Sequence, residues 1–252
     1  MIAKLHKTEP SISFLQILKQ VFTFIPCHFR ALVSRVWWIA LILLICGFAV
    51  LYFSSELSDF MRYLLLSGYF LLLCCAYSST AVMICRYKLS SDYKLPNLHF
   101  RLVELKYMFG LLRFWLLMLL VIGSGVWSIM YISELSIALE TMIILIFAIF
   151  FCMVTLIIMV TNLQLALPAI VYQMPNSLHL VWKLGQGQRL QIFMGVMFLL
   201  LLIIFLSGAI VIFIPHELSF RIGAVFAGIC LFFIDICWQT VFLSEVYQKL
   251  AK

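Results

Sequence analysis

Charge is what this sequence has least of. Only 11% of its 252 residues are Asp, Glu, Lys or Arg, against 65% hydrophobic. A chain so poor in ionisable groups has too little solvated surface to be a soluble globular domain. Acids are the scarcest, 10 against 17 Lys and Arg. No GxSxG, HExxH or Walker loop occurs, nor a His and an acid paired at helical spacing, so no catalytic residue and no enzyme activity is expected. "GQG" at 185–187 lacks the strand and helix that would make it a phosphate cradle. The eight cysteines include no CxxC pair. Cys46, Cys74, Cys75, Cys85, Cys152, Cys230 and Cys237 fall in or beside apolar runs, where a thiol serves as a small, polarizable packing group. His6, His28, His99, His179 and His216 are scattered over separate polar segments, so neither a metal nor another cofactor is expected. No small-residue cleavage site follows "MIAKLHKTEP", so no removable signal peptide is expected.

What is present is hydrophobic length. Mean hydropathy is +1.16, and long apolar runs cover about 36–53, 63–85, 109–131, 138–166, 190–213 and 222–243. Each approaches the ~20 residues that cross a bilayer. The fold class expected is all-α, a polytopic membrane protein of six transmembrane helices with two cytoplasmic amphipathic helices. Residues 1–252 form one integral membrane domain: an N-terminal segment 1–35, a bundle 36–243 and a tail 244–252. Fifteen of the seventeen cations fall on one side of that layout, leaving only Arg62 and Arg221 opposite. Such asymmetry over short loops places both termini in the cytoplasm. The net charge of +7 therefore marks a face toward anionic headgroups rather than a nucleic-acid site, because no soluble basic domain is there to carry one.

One amphipathic segment precedes the first span and the other lies between the fourth and the fifth. In "SISFLQILKQVFTFI", Ser13, Gln16, Gln20 and Thr23 recur at three- and four-residue steps, and Phe14, Leu15, Leu18, Val21, Phe22 and Ile25 fill the other side. That pattern suits either the lipid interface or the inner face of the bundle. In "PNSLHLVWKLGQGQR", Asn176 caps a short helix whose Leu178, Val181 and Trp182 share a face. Trp182 beside Lys183 suits the headgroup level.

Residues 162–193, "NLQLALPAIVYQMPNSLHLVWKLGQGQRLQIF", carry a recognisable pattern: a helix end in "LALP", an apolar "AIV", a short amphipathic helix with a tryptophan, then a Gly-containing turn. Leu165, Ala166, Leu167, Pro168, Ala169, Ile170, Val171, Trp182, Leu184 and Gly187 fit it. The stretch resembles a loose group of bacterial inner-membrane proteins, comprising an uncharacterised six-helix family and the membrane domain of some glycerophosphodiester phosphodiesterases. Asn162 stands where the group often has arginine, and Val181 where it often has serine. The resemblance implies a membrane-embedded, non-catalytic module of the bacterial cytoplasmic (inner) membrane. Chemistry gives the same segment a second reading. Pro168 disfavours a helical Leu167, so the fourth span is expected to stop there and the chain to turn along the membrane surface.

One carboxylate falls inside a span. Asp235, in "LFFIDICW", lies about 12 Å from the inner end of the last span, and Arg113 about 8 Å into the third. A mid-bilayer charge costs at least ~2.5–3.5 kcal/mol. Three readings stand: a working carboxylate on a proton or cation path, a structural pair with Arg113 or with neighbouring hydroxyls, and a protonated acid beside a separately snorkelling arginine. Small residues should let helices approach, with "GAVFAG" offering Gly223 and Ala227 or Ala224 and Gly228 at four-residue spacing. The role expected is a lipid- or partner-binding bundle in envelope organisation. Lys88, Arg101, Lys106, Trp182, Lys183 and Arg189 would meet anionic headgroups or a membrane-protein partner. The alternative is a small-molecule or ion permease working through Asp235.

Overall fold

A computed structural model of the chain describes residues 14–53, 58–89, 101–134, 139–171, 182–183, 185, 187–213 and 218–251. Its regular elements are all helical. Six are long: α1 Phe14–Phe53, α2 Asp59–Leu89, α3 Leu102–Glu134, α4 Leu139–Asn162, α6 Arg189–Phe213 and α7 Leu218–Leu250. Between α4 and α6 come a 3-10 turn, Leu163–Leu165, and the short α5, Ala166–Val171. All six long helices are apolar and long enough to cross a membrane, so the chain is a multi-pass membrane protein. Helix is the form such runs must take, because lipid offers no partner to an open backbone group.

Four helices exceed a bilayer. At about 1.5 Å per residue α1 is roughly 60 Å long, and α2, α3 and α7 each approach 50 Å, against about 40–45 Å for a bilayer with its headgroups. In α1 the cations Lys19, Arg30 and Arg35 all precede the apolar run "IALILLICGFAVLYF", so the part before that run extends beyond the hydrocarbon. The same end receives the C-terminal half of α7: Phe14 meets Phe242 edge-on at 6.4 Å and Phe22 meets Trp238 at 5.1 Å. We call it the basic end.

Burial is concentrated there. The main core joins Ile17, Val21 and Phe24 of α1, Ala81–Cys85 of α2, Tyr107 of α3, Leu165–Leu167 and Ala169 beside α5, and Val241–Leu243 of α7. Toward the other end, among the described residues, only a small cluster remains, Ile39, Leu43, Ala76 and Ile229. None of the most apolar stretch of α4 is buried. The hub is α7, which packs on α1, α2 and α6; α3 packs on α2, α4 and α5 instead.

Three expectations are corrected by this arrangement. The amphipathic segment and the first span are not separate: α1 runs unbroken through Pro26. Its apolar face is docked on the bundle, with Ile17 and Val21 fully buried, which decides between the two placements its pattern allowed. Full burial of such side chains contributes about 1.5–3 kcal/mol each. Nor does Pro168 end the fourth span. The helix breaks earlier, at Leu163–Leu165, and Pro168 lies in the first turn of α5, where its missing N–H would be unpaired in any case. The chain does not run along a surface there. Leu165 through Ala169 are all buried, wedged among α2, α3 and α7. The small face of α7 is the third. A methyl group added at Gly223 or Gly228 would meet nothing within 4 Å, whereas Gly110 and Gly195 carry close approaches. A Cβ on Gly110 would sit 3.0 Å from Leu167 and 3.1 Å from Ile170 of this buried wedge. One on Gly195 would enter the Phe242 ring. The predicted second amphipathic helix falls mostly on residues outside those described; Trp182 and Lys183 are helical.

The Phe242 ring is a rigid neighbour, so Gly195→Ala forces overpacking and should lower stability by about 1–3 kcal/mol. Gly208→Ala, with nothing within 4 Å, should be neutral or gain up to about 1 kcal/mol from helix propensity. Thermal unfolding of the two variants in one detergent measures the contrast, and equal midpoints would refute the close α6–α7 contact.

Candidate functional site at the basic end

The buried polar groups lie where α1, α2, α3 and α7 converge. The last turns of α2 present Arg86, Tyr87 and Lys88 on successive sides, each toward a different helix. Lys88 Nζ donates to Glu245 Oε1 of α7 at 2.6 Å, and both side chains are largely buried, 18% and 10% exposed. Gln20 of α1, with its amide nitrogen toward the same carboxylate, donates to Oε2 at 2.7 Å. Gln248 of α7 donates its side-chain amide to the Lys88 carbonyl. One carboxylate thus gathers donors from two other helices.

Tyr87 completes the junction with α1. The His28 ring contacts the Phe24 carbonyl through Nδ1 at 2.9 Å and the Tyr87 hydroxyl through Nε2 at 2.6 Å. Because a carbonyl only accepts, Nδ1 carries the proton; in the neutral ring Nε2 then accepts from the Tyr87 hydroxyl. The Lys88 ammonium also lies 5.5 Å from the Phe24 ring centre, within range of the ring face. Deeper in, the Cys85 thiol and Ser244 hydroxyl pair α2 with α7 at 3.4 Å.

Arg86 reaches the opposite way, to α3. Its guanidinium meets Glu104 Oε1 at 3.1 Å, and Glu104 Oε2 accepts the Arg101 backbone N–H at 2.9 Å. Glu104 is the third residue of α3 and only 1% exposed. It therefore satisfies an open N–H at the helix start while neutralising an arginine of the preceding helix. Both oxygens are occupied. A buried carboxylate is tolerated when its charge and lone pairs are matched in this way.

The residues singled out from sequence divide accordingly. Arg101, Lys106 and Lys183 lie at the basic end with their side chains toward its outside, Lys106 and Lys183 on the helical segments and Arg101 just before α3. Arg189, at the start of α6, stacks its guanidinium 4.2 Å from the Trp182 ring centre, so these two are neighbours with exposed Lys183 beside them. Lys88 is corrected: it is an internal strut, committed to Glu245, and not part of the rim. The Asp235–Arg113 pair is corrected as well. Arg113 is exposed and forms no ion pair with Asp235. Arg113 extends outward as a snorkelling cation does.

Asp235 is half-buried on α7, and its Oδ1 has no hydrogen-bond partner among the described residues. Tyr77 of α2 lies within its electrostatic reach, and Gln239 follows one turn along the same face. Asp235 lines neither the small cavity between α1, α6 and α7 nor the larger groove between α1 and α2. The residues that sequence reasoning passed over are the acids. Glu104 and Glu245 each sit among apolar neighbours on the side richest in cations, and that setting is the signal that could have found them.

Removing Lys88 strands a buried carboxylate, so Lys88→Ala should cost about 3–5 kcal/mol. Replacing both partners, Lys88→Met with Glu245→Leu, should recover most of that loss. Unfolding midpoints of parent, single and double variants test the coupling, and a double variant no better than the single would refute it. No family model matches this chain, and neither a curated protein nor a solved structure matches it, so its role rests on the residues themselves.

Proposed function

We propose that the chain is a non-enzymatic protein of the bacterial cytoplasmic membrane, with both termini inside, whose basic rim binds anionic lipid headgroups in envelope organisation. The observation that carries this reading is a segregation of charge. At the basic end Glu104 and Glu245 are buried and consumed by Arg86, Lys88 and Gln20. Lys19, Arg30, Arg101, Lys106 and Lys183 face outward. With Glu104 and Glu245 turned in and these five cations out, the described part of the rim presents a positive field to whatever lies against it.

Each exposed cation near an anionic leaflet contributes about 1 kcal/mol, falling away within a Debye length. The same cations fix the direction of insertion by the positive-inside rule. The likeness of residues 162–193 to bacterial inner-membrane proteins supports the compartment. A membrane-protein partner with an acidic face is the other occupant this field suits.

Two measurements test the reading. The triple variant Arg101→Gln, Lys106→Gln, Lys183→Gln, reconstituted in mixed bilayers, should lose most of the parent's preference for phosphatidylglycerol over phosphatidylcholine in its lipid shell, read by spin-labelled lipids. An unchanged preference would sink the rim. Reporter fusions should place the C-terminus in the cytoplasm and a site after Pro215 outside; a cytoplasmic reading at the second site would overturn the orientation.

A further inference from the structure

Arg189 is the first residue of α6 and its last charge: the rest of the helix, to Phe213, is uncharged. The helix therefore enters hydrocarbon directly after it. The Arg189 guanidinium lies over the Trp182 ring, 4.2 Å from its centre. Such a contact engages the flat face of the cation and uses none of its N–H donors. Both side chains are half-buried, and Lys183 beside them is exposed. Arg189 forms no ion pair among the described residues, and its Nε has no hydrogen-bond partner. The two acids buried at this end are already matched to Arg86 and Lys88. A covered guanidinium N–H without an acceptor is costly. The ring holds this cation in place, and no described acid answers its charge.

An apolar stripe begins one residue further on. Leu190, Met194, Phe198 and Leu201 are all exposed, and their three- and four-residue steps put them on one side of α6. From Leu190 to Leu201 the helix rises about 16 Å, roughly half of a hydrocarbon core of about 30 Å and so the depth of one leaflet. The order of these parts is that of a phospholipid. A cation stands at headgroup level beside a tryptophan, and apolar surface one leaflet long follows it. A guanidinium matches a phosphate with two parallel hydrogen bonds, which an ammonium does not.

We infer that Arg189, stacked on Trp182, is the phosphate site of one anionic glycerophospholipid whose acyl chain lies along the α6 stripe. The inference deepens the reading of the rim as lipid-binding and rests on it. It adds a fixed position, a stoichiometry of one and a dependence on shape, whereas a diffuse field responds to charge alone. A choline headgroup would bring its own cation against Lys183, so the headgroup is an anionic one. The occupant is a lipid rather than a second copy of the chain, because Arg189 and the exposed cations beside it carry one sign and two copies would repel there.

The test is native mass spectrometry of the full-length protein in detergent with phosphatidylglycerol or phosphatidylcholine. The parent should keep one phosphatidylglycerol under activation that strips further lipid, and no phosphatidylcholine. Arg189→Lys keeps the charge but loses the flat two-pronged donor, and should hold that lipid about ten-fold more weakly. Trp182→Leu leaves every charge in place and should weaken it too, while Trp182→Phe, which keeps a ring, should retain part of the hold. A field alone predicts no change in any of the three. Parent-like retention in Arg189→Lys and Trp182→Leu would therefore overturn the site and leave the rim's lipid preference standing. A melting curve checks each variant; should Arg189→Lys fail to fold, the Trp182 pair decides. Phosphatidylglycerol with a diazirine in one acyl chain should label residues 190–201, and labels spread evenly over Phe147 and Phe151 of α4 would overturn the acyl placement. Displacement by glycerol phosphate as readily as by phosphatidylglycerol would give the site to a soluble phosphate. A dimer mass in place of the lipid-bound monomer would give the face to a second copy. Either result overturns the proposal. A site intact by these measures, beside a rim triple variant with an unchanged lipid shell, would instead fell the rim and leave the site.

Discussion

Glu245 is the constraint on which the basic end is built. A carboxylate this deeply placed is tolerable only if donors surround it. The donors come from helices far apart in sequence: Lys88 at the end of α2 and Gln20 near the start of α1. Satisfying one side chain therefore fixes three helix ends at once. Arg86 and Glu104 extend the junction to α3 by the same logic, and the His28–Tyr87 contact doubles the tie between α1 and α2. Four helices are long enough to leave the hydrocarbon on this side, and there apolar burial again carries the full driving force of water exclusion. Ile17, Val21 and Phe24 exploit it.

The other end follows a different rule. In lipid an exposed leucine costs nothing, so helices gain little by hiding apolar faces from acyl chains, and association depends on close packing. This accounts for a fourth helix with no buried residue in its most apolar stretch and, among the described residues, for a core cluster of only four buried side chains there. Where close approach does occur it is specific: Gly125 against Met153 for α3 and α4. The bundle is thus tied at one end and loosely gathered at the other.

That division also explains what could be read from the sequence. Six spans and the basic side were readable, because hydropathy and charge count are properties of short windows. What escaped were contacts that join distant windows. Lys88 and Glu245 are 157 residues apart, and nothing local to Lys88 distinguishes a strut from a rim cation. The stripe of Ile17, Val21 and Phe24 has the same period whether it faces lipid or protein, so its docking needed the partner helix. Pro168 misled for a local reason. Its preference against a helical predecessor is real, yet the chain had already broken at Leu163–Leu165 and could use the proline in a new first turn. The small face at Gly223 and Gly228 matched a packing pattern but met no helix.

Asp235 belongs to this same division. Along α7, from Ile236 to Tyr247, every residue but Trp238 is buried; from Leu231 to Asp235 every residue is only half so. The carboxylate stands at that step. Below it α7 becomes steadily more polar, through Gln239, Thr240, Ser244, Glu245 and Gln248, while α2 answers with Ser78, Ser79 and Thr80 in buried positions. Such groups are costly against acyl chains and tolerable only among other helices. A helix that carries them has to occupy the centre of the bundle. Its polarity, rather than its hydrophobicity, is what makes α7 the hub, and Asp235 is the outermost rung of that ladder.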